Sequence, residues 1–226
     1  MVSLITQGSS TDHKGRTFSR RRPVPILVVL VVLALAGAAV WFRILTATET
    51  STDTIACNAP PAATDSSSPA AAEPGTEVDG TVVTDTQPLP LSATRVRVFN
   101  ANGQGGQAAE VAADLSEYGF ASAPDVQVGN DPVYVDQNMQ CNAQIRFGQS
   151  GIAAAGTVAL VAPCAEFIQD TREDDTVDLA LGTNFRALQP NTDGEEVVRS
   201  LAEVPPGSAA PTLDIELLAA AHAVDC

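Results

Sequence analysis

The chain has 226 residues, 45% of them hydrophobic, with 27 acidic residues against 12 basic ones and a formal net charge of −15. That length accommodates one domain with its own core plus flanking segments. Beyond residue 43 six Arg and no Lys stand against 26 Asp or Glu, a formal −20, which excludes nucleic acid and anionic lipid headgroups as partners of that part by like-charge repulsion.

In chain order, residues 1–23 form a basic N-terminus containing Lys14, Arg16, Arg20, Arg21 and Arg22. Residues 24–42, VPILVVLVVLALAGAAVWF, are 19 uncharged residues, close to the ~20 that cross a ~30 Å hydrocarbon core as a helix. The basic cluster before this span and its near absence after it predict a cytoplasmic N-terminus and an extracytoplasmic remainder. A cleaved signal peptide is the alternative, but its apolar region is usually ~7–15 residues and ends in small residues. Here the span ends in Trp41, Phe42 and Arg43, which suit an interfacial anchor.

Residues 43–92 are rich in Ala, Pro, Ser, Thr and acidic residues. Such a composition buries too little apolar surface to offset ordering entropy, so a disordered extracytoplasmic stalk is expected. Residues 93–226 are expected to form the domain. Val96 and Val98 alternate as a strand, and a Gly-rich turn leads into a helix over about 105–118. Gly119 then stops that helix, with Phe120 folding back on Leu115. Val126 and Val128 mark a second strand, and QIRFGQSG at 144–151 repeats the first strand-turn pattern before a helix over about 149–161. VDLALG at 177–182 is a fourth strand. The order β-α-β-β-α-β predicts an α/β two-layer sandwich with a mixed sheet and helices on one face. Two short C-terminal helices follow, DGEEVVRSLAEV with Asp193 as N-cap and PTLDIELLAAAHAV.

The four cysteines, Cys57, Cys141, Cys164 and Cys226, all lie beyond the span. They contain no C-x-x-C pair and have one histidine, His222, on their side, so disulfides rather than a metal site are expected. Cys141 enters the third strand and Cys164 leaves the helix after it. That geometry favours Cys141–Cys164 and leaves Cys57–Cys226, one of three pairings that four cysteines allow.

The turn glycines, Gly103, Gly105 and Gly106, do not fit G-x-G-x-x-G, and no Gly-Lys-Ser/Thr follows, so no nucleotide cofactor is expected. Positive φ and close backbone approach explain them, though the turn with Asn100 and Asn102 could cap a carboxylate or sugar oxygen. No catalytic residue is expected, because His222 is the sole imidazole outside the membrane and sits in an Ala-rich helix. The acidic run DTREDDT lacks the spacing of a calcium loop and is read as solvated. Alternation places Arg97 and Arg146 on the sheet face away from the helices. Split βαβ topology would set them side by side, able to grip an anion; a cross-strand ion pair to Asp178 is the competing reading.

RVRVFNANGQGGQAAEVAADLSEYGF at 95–120, IRFG at 145–148 and VDLALGTNF at 177–185 together resemble the LytR C-terminal domain family, over about residues 94–185. The resemblance implies a non-catalytic extracytoplasmic module of Gram-positive, and especially actinobacterial, envelope proteins. The glycopolymer-ligase domain that precedes this module in LytR proteins is not found in this sequence, so its transferase activity is not carried over. The expected partner is another envelope protein, with proteins of the same LytR C-terminal type and cell-wall polymer as candidates. Direct peptidoglycan or glycan binding is the second reading, weakened because no Trp lies beyond the span and Tyr118 and Tyr134 are the only tyrosines.

Overall fold

The structure, a computed structural model, describes residues 29–30, 33–34, 37, 56–61, 72–224 and 226. It divides into two units, Met1–Ser51 and Thr52–Cys226. In the first, residues 29, 30, 33, 34 and 37 are helical; the basic N-terminus and most of the predicted span at 24–42 lie outside the described residues. Among the described residues no helix is long and apolar enough to cross a membrane.

The second unit is built on a seven-stranded sheet: β1 (Thr76–Glu77), β2 (Arg95–Asn100), β3 (Ala121–Ser122), β4 (Val128–Asn130), β5 (Ala143–Phe147), β6 (Ala165–Gln169) and β7 (Val177–Leu181). Five helices accompany it among the described residues: α1 (Thr81–Thr84), α2 (Gln107–Tyr118), α3 (Ile152–Ala159), α4 (Thr192–Ala202) and α5 (Ile215–His222). The strand order is β1-β6-β5-β7-β2-β3, with β4 also on β2. β2 is parallel to β3, β4 and β7, whereas β5 is parallel to β6 and antiparallel to β7.

The α/β class and the mixed sheet with helices on one face are as the sequence predicts. Val96, Val98, Ile145, Phe147, Leu179 and Leu181 point to the helix side, where they form one core with Val111 and Leu115 of α2, Val158 of α3, and Val197 and Leu201 of α4. Leu115 and Phe120 meet as expected: Gly119 has φ 105° and Phe120 N–H donates to the Leu115 carbonyl. A side chain at that φ would cost ~1–2 kcal/mol, which is why glycine ends the helix.

Three expectations are corrected. First, strands one and three are not neighbours, because β7 lies between β2 and β5. The cause is β6, for which the sequence predicts no element: its five residues AEFIQ sit between Pro163 and the acidic run. By pairing parallel to β5 on the outside, β6 closes a second βαβ unit and leaves the centre to β7. Second, parts of the expected stalk are ordered. Residues 76–77 add β1 to the edge of β6, Val83 and Leu91 are fully buried, and the Thr157 hydroxyl accepts from Leu89 N–H at 2.8 Å. Backbone pairing needs no apolar side chains, and two buried anchors suffice for a segment laid over an existing core. Third, the N-cap of α4 is Asn191, not Asp193; its side chain accepts from Gly194 N–H at 2.7 Å.

Candidate functional site

On the face away from the helices, alternation brings Arg97 of β2, Asp178 of β7 and Arg146 of β5 into one row, with Asp178 the register partner of both arginines. They do not share it. Arg97 Nε binds one Asp178 carboxylate oxygen, and Arg172 Nη2 binds the other at 2.6 Å. Arg172 also grips Asp170, with Nε–Oδ1 at 2.9 Å. Burial works against the Arg172 charge, but the bonds from Asp178 and Asp170 outweigh it and raise its pKa.

Arg146 turns instead to Asp131. Their side chains are 4% and 0% exposed and 2.7 Å apart. Arg146 also donates to Gln144 Oε1 from Nε (3.1 Å) and Nη2 (2.9 Å), and its guanidinium lies 5.7 Å from the Tyr134 ring centroid. The other Asp131 oxygen accepts from Val133 and Tyr134 N–H, at 2.7 and 2.6 Å. That carboxylate therefore both shapes a turn and neutralises the arginine. Burial pushes the Tyr134 phenol up, against the pull of Arg146.

This face is covered, not open. Val133, Tyr134, Met139 and Cys141 form a small second core over Phe99 and Ala180, and Cys57 packs on it. The Tyr134 hydroxyl donates to Asn58 O, Gln140 N–H to Asn58 Oδ1 at 2.7 Å, and Cys57 N–H to Glu166 Oε1 at 2.6 Å. The disulfides are Cys57–Cys141 and Cys164–Cys226, with Cα separations of 4.7 and 5.5 Å, which overturns the expected Cys141–Cys164 and Cys57–Cys226. Cys141 and Cys164 do line one cavity, but Cys141 lies in the bend before β5 and its side chain joins the second core. The two cysteines do share one end of the domain, but a shared end does not fix the partner once Cys57 packs on the same small core as Cys141.

The Gly-rich turn stands apart from the arginine row. Asn100 Oδ1 accepts from Asn102 and Gly103 N–H, while Asn102 Nδ2 donates to Gln107 Oε1 at 2.7 Å and to Gly182 O at 2.8 Å. Gly103 and Gly106 have φ of 75° and 87°, as a chain reversal into α2 requires, whereas a side chain at Gly105 would meet nothing within 4 Å. Beside this turn Glu110 and Asp114 line a surface hollow with Arg186. Among the described residues no group of three or more metal-ligating side chains converges. Sequence reasoning missed Asp131, Arg172, Gln144 and Glu166. Only Asp131 carried a local signal, the turn sequence NDPVY.

The chain is 42% identical over 229 residues to the cell envelope integrity protein Cei of Mycobacterium tuberculosis, covering all of both chains. Residues 93–185 match the family described as LytR cell envelope-related transcriptional attenuator, LytR_C. The chain belongs to the LytR_C family. A solved structure, the soluble domain of a conserved hypothetical secreted protein from Mycobacterium marinum, is 46% identical and superposes with a TM-score of 0.60. It covers 69% of this chain, which covers all of it. The LytR_C match runs from just before β2 to just after β7 and so contains the whole Arg97–Asp178–Arg146 row, but not Cys57 or α5.

Proposed function

We propose that this chain is a single-pass, membrane-anchored module whose LytR_C domain lies outside the membrane and maintains cell-envelope integrity through non-catalytic contacts with another envelope protein or wall polymer. The end-to-end likeness to Cei carries this reading. The secreted origin of the solved relative and two disulfides support the extracytoplasmic side. A non-catalytic role is supported by the state of the reactive groups: the four cysteines are paired with one another, and Asp131 and Asp178 are neutralised by arginines. Direct glycan binding has less to stand on, since Tyr134 is 2% exposed and Tyr118 is half-buried with its ring packed against the core.

Deletion followed by complementation tests this. The full chain should restore resistance of the deletion strain to detergent and cell-wall hydrolase, and a chain lacking residues 24–42 but exported by a cleavable signal should not. Full rescue by the unanchored form would remove the anchor from the reading. A deletion strain with an unaltered envelope would remove the reading itself.

A further inference from the structure

Away from the sheet face, α1 and α5 flank a groove of about 720 Å³. Its floor and one wall come from Leu218 and Ile215 of α5, and Ile215 is 78% exposed, a large aliphatic side chain left in water. Gln87 braces one end by exchanging two hydrogen bonds with the backbone of Leu213, at 3.3 and 3.0 Å, so the two walls are held at a fixed spacing. The α1 side is acidic, lined by Asp79 and Asp85, and among the described residues no Lys or Arg lines the groove. At its far end the Nε2 of His222 is buried with no hydrogen-bond partner among the described residues.

We propose that this groove docks a basic amphipathic helix of a partner protein, with its apolar side chains on Ile215 and Leu218 and its Lys or Arg against Asp79 and Asp85. An apolar α5 wall facing an acidic α1 side suits an amphipathic helix whose apolar stripe is bordered by cations. Charge rules out the other occupants. A second copy brings the same acidic surface, from a region of six Arg against 26 Asp or Glu, and anionic lipid is repelled in the same way. The inference rests on the interaction-module reading and names the partner's chemistry; a failed peptide assay leaves the deletion phenotype standing.

The test uses the full chain in zwitterionic lipid nanodiscs. It is titrated into a fluorescent helical peptide with leucines on one face and lysines on its flanks, and into a counterpart with glutamate for lysine. The lysine peptide should bind at least ~10-fold tighter, and Ile215→Asp and Asp85→Lys should each weaken it ~10-fold without moving the melting temperature. Asp85→Lys should also improve binding of the glutamate peptide. Both residues are exposed, so if one variant misfolds the other still reports. Equal affinity for the two peptides, or binding indifferent to both variants, would overturn the proposal. So would capture of anionic phosphatidylglycerol vesicles that Ile215→Asp abolishes, which would make the groove a membrane contact. A dimer in sedimentation equilibrium that the same variant dissolves would overturn it in favour of self-association.

Discussion

Replacing Arg146 with Met keeps the length of the side chain but strands Asp131, whose side chain is fully buried, without its cation. Removing one member of a buried pair typically costs ~3–5 kcal/mol, because the remaining charge stays desolvated. For a unit of this size each kcal/mol lowers the melting temperature by ~2–4 °C, so a fall between ~6 and ~20 °C is expected. Arg97→Gln provides the contrast. Arg97 is 27% exposed, and Asp178 keeps Arg172 at 2.6 Å, so the loss should stay within the ~0–1 kcal/mol of a solvent-accessible pair. Asp131→Asn added to Arg146→Met should recover part of the stability, since an amide oxygen can still accept from Val133 and Tyr134 N–H while the stranded charge is gone. Thermal melts of the four proteins, followed by near-ultraviolet circular dichroism, measure all of this. An Arg146→Met variant melting within 2 °C of wild type would show that the pair is not buried as described, and would return Arg146 to the surface as a candidate ligand-binding group.

Non-reducing peptide mapping should yield Cys57–Cys141 and Cys164–Cys226 cross-links only, and a Cys141–Cys164 peptide would contradict the structure; in the chain-entropy account, closing 84 and 62 residues stabilises by ~4–5 kcal/mol each. Burial lowers the His222 pKa to about 4, below its ordinary 6.5, so the unfolded chain takes up the proton first: stability should be full above pH ~6.5 and fall toward pH ~4. Asp79 and Asp85 line the same groove, and a His222→Leu variant should flatten this part of the urea-denaturation pH profile, whereas an unchanged slope would assign it to carboxylates elsewhere. Gly182→Ala should destabilise strongly, because its Cβ would stand 2.2 Å from the Cys141 carbonyl, and Gly105→Ala, which meets nothing within 4 Å, should leave the melting temperature unchanged.

What the sequence made legible follows from the range of the interactions involved. Apolar alternation in VRVF and VDLAL, the 3.6-residue spacing of Ala108, Val111 and Leu115, and the glycine at 119 are local signals, and each names its element and the face it buries. The arginine row was legible to the same extent: alternation placed Arg97, Arg146 and Asp178 on one face. The Asp178 partner of Arg97 was legible as a cross-strand pair, but the Asp131 partner of Arg146 was not, since Asp131 lies in a turn outside the ladder; nor was the strand order, since no local pattern in AEFIQ states that it pairs with β5.

The covering of that face was hidden for the same reason. Tyr134 reaches Asn58 across 76 positions and Cys57 reaches Glu166 across 109, through a segment whose composition gives no sign of order. Once that layer is in place, an anion approaching Arg146 would have to displace Asp131 from a dry pair, so the guanidinium that looked free in sequence has no capacity left to bind it. The apolar surface still in water lies elsewhere. Within the stretch that matches the family it is carried by Val126, Val128 and Val135, and outside it by Val82 of α1 and by Ile215 of α5, the most exposed of these, which shares its groove with Asp79 and Asp85. On the interaction-module reading proposed above, Ile215, beyond the stretch shared with the family, is the side chain whose exposure a partner contact would relieve most.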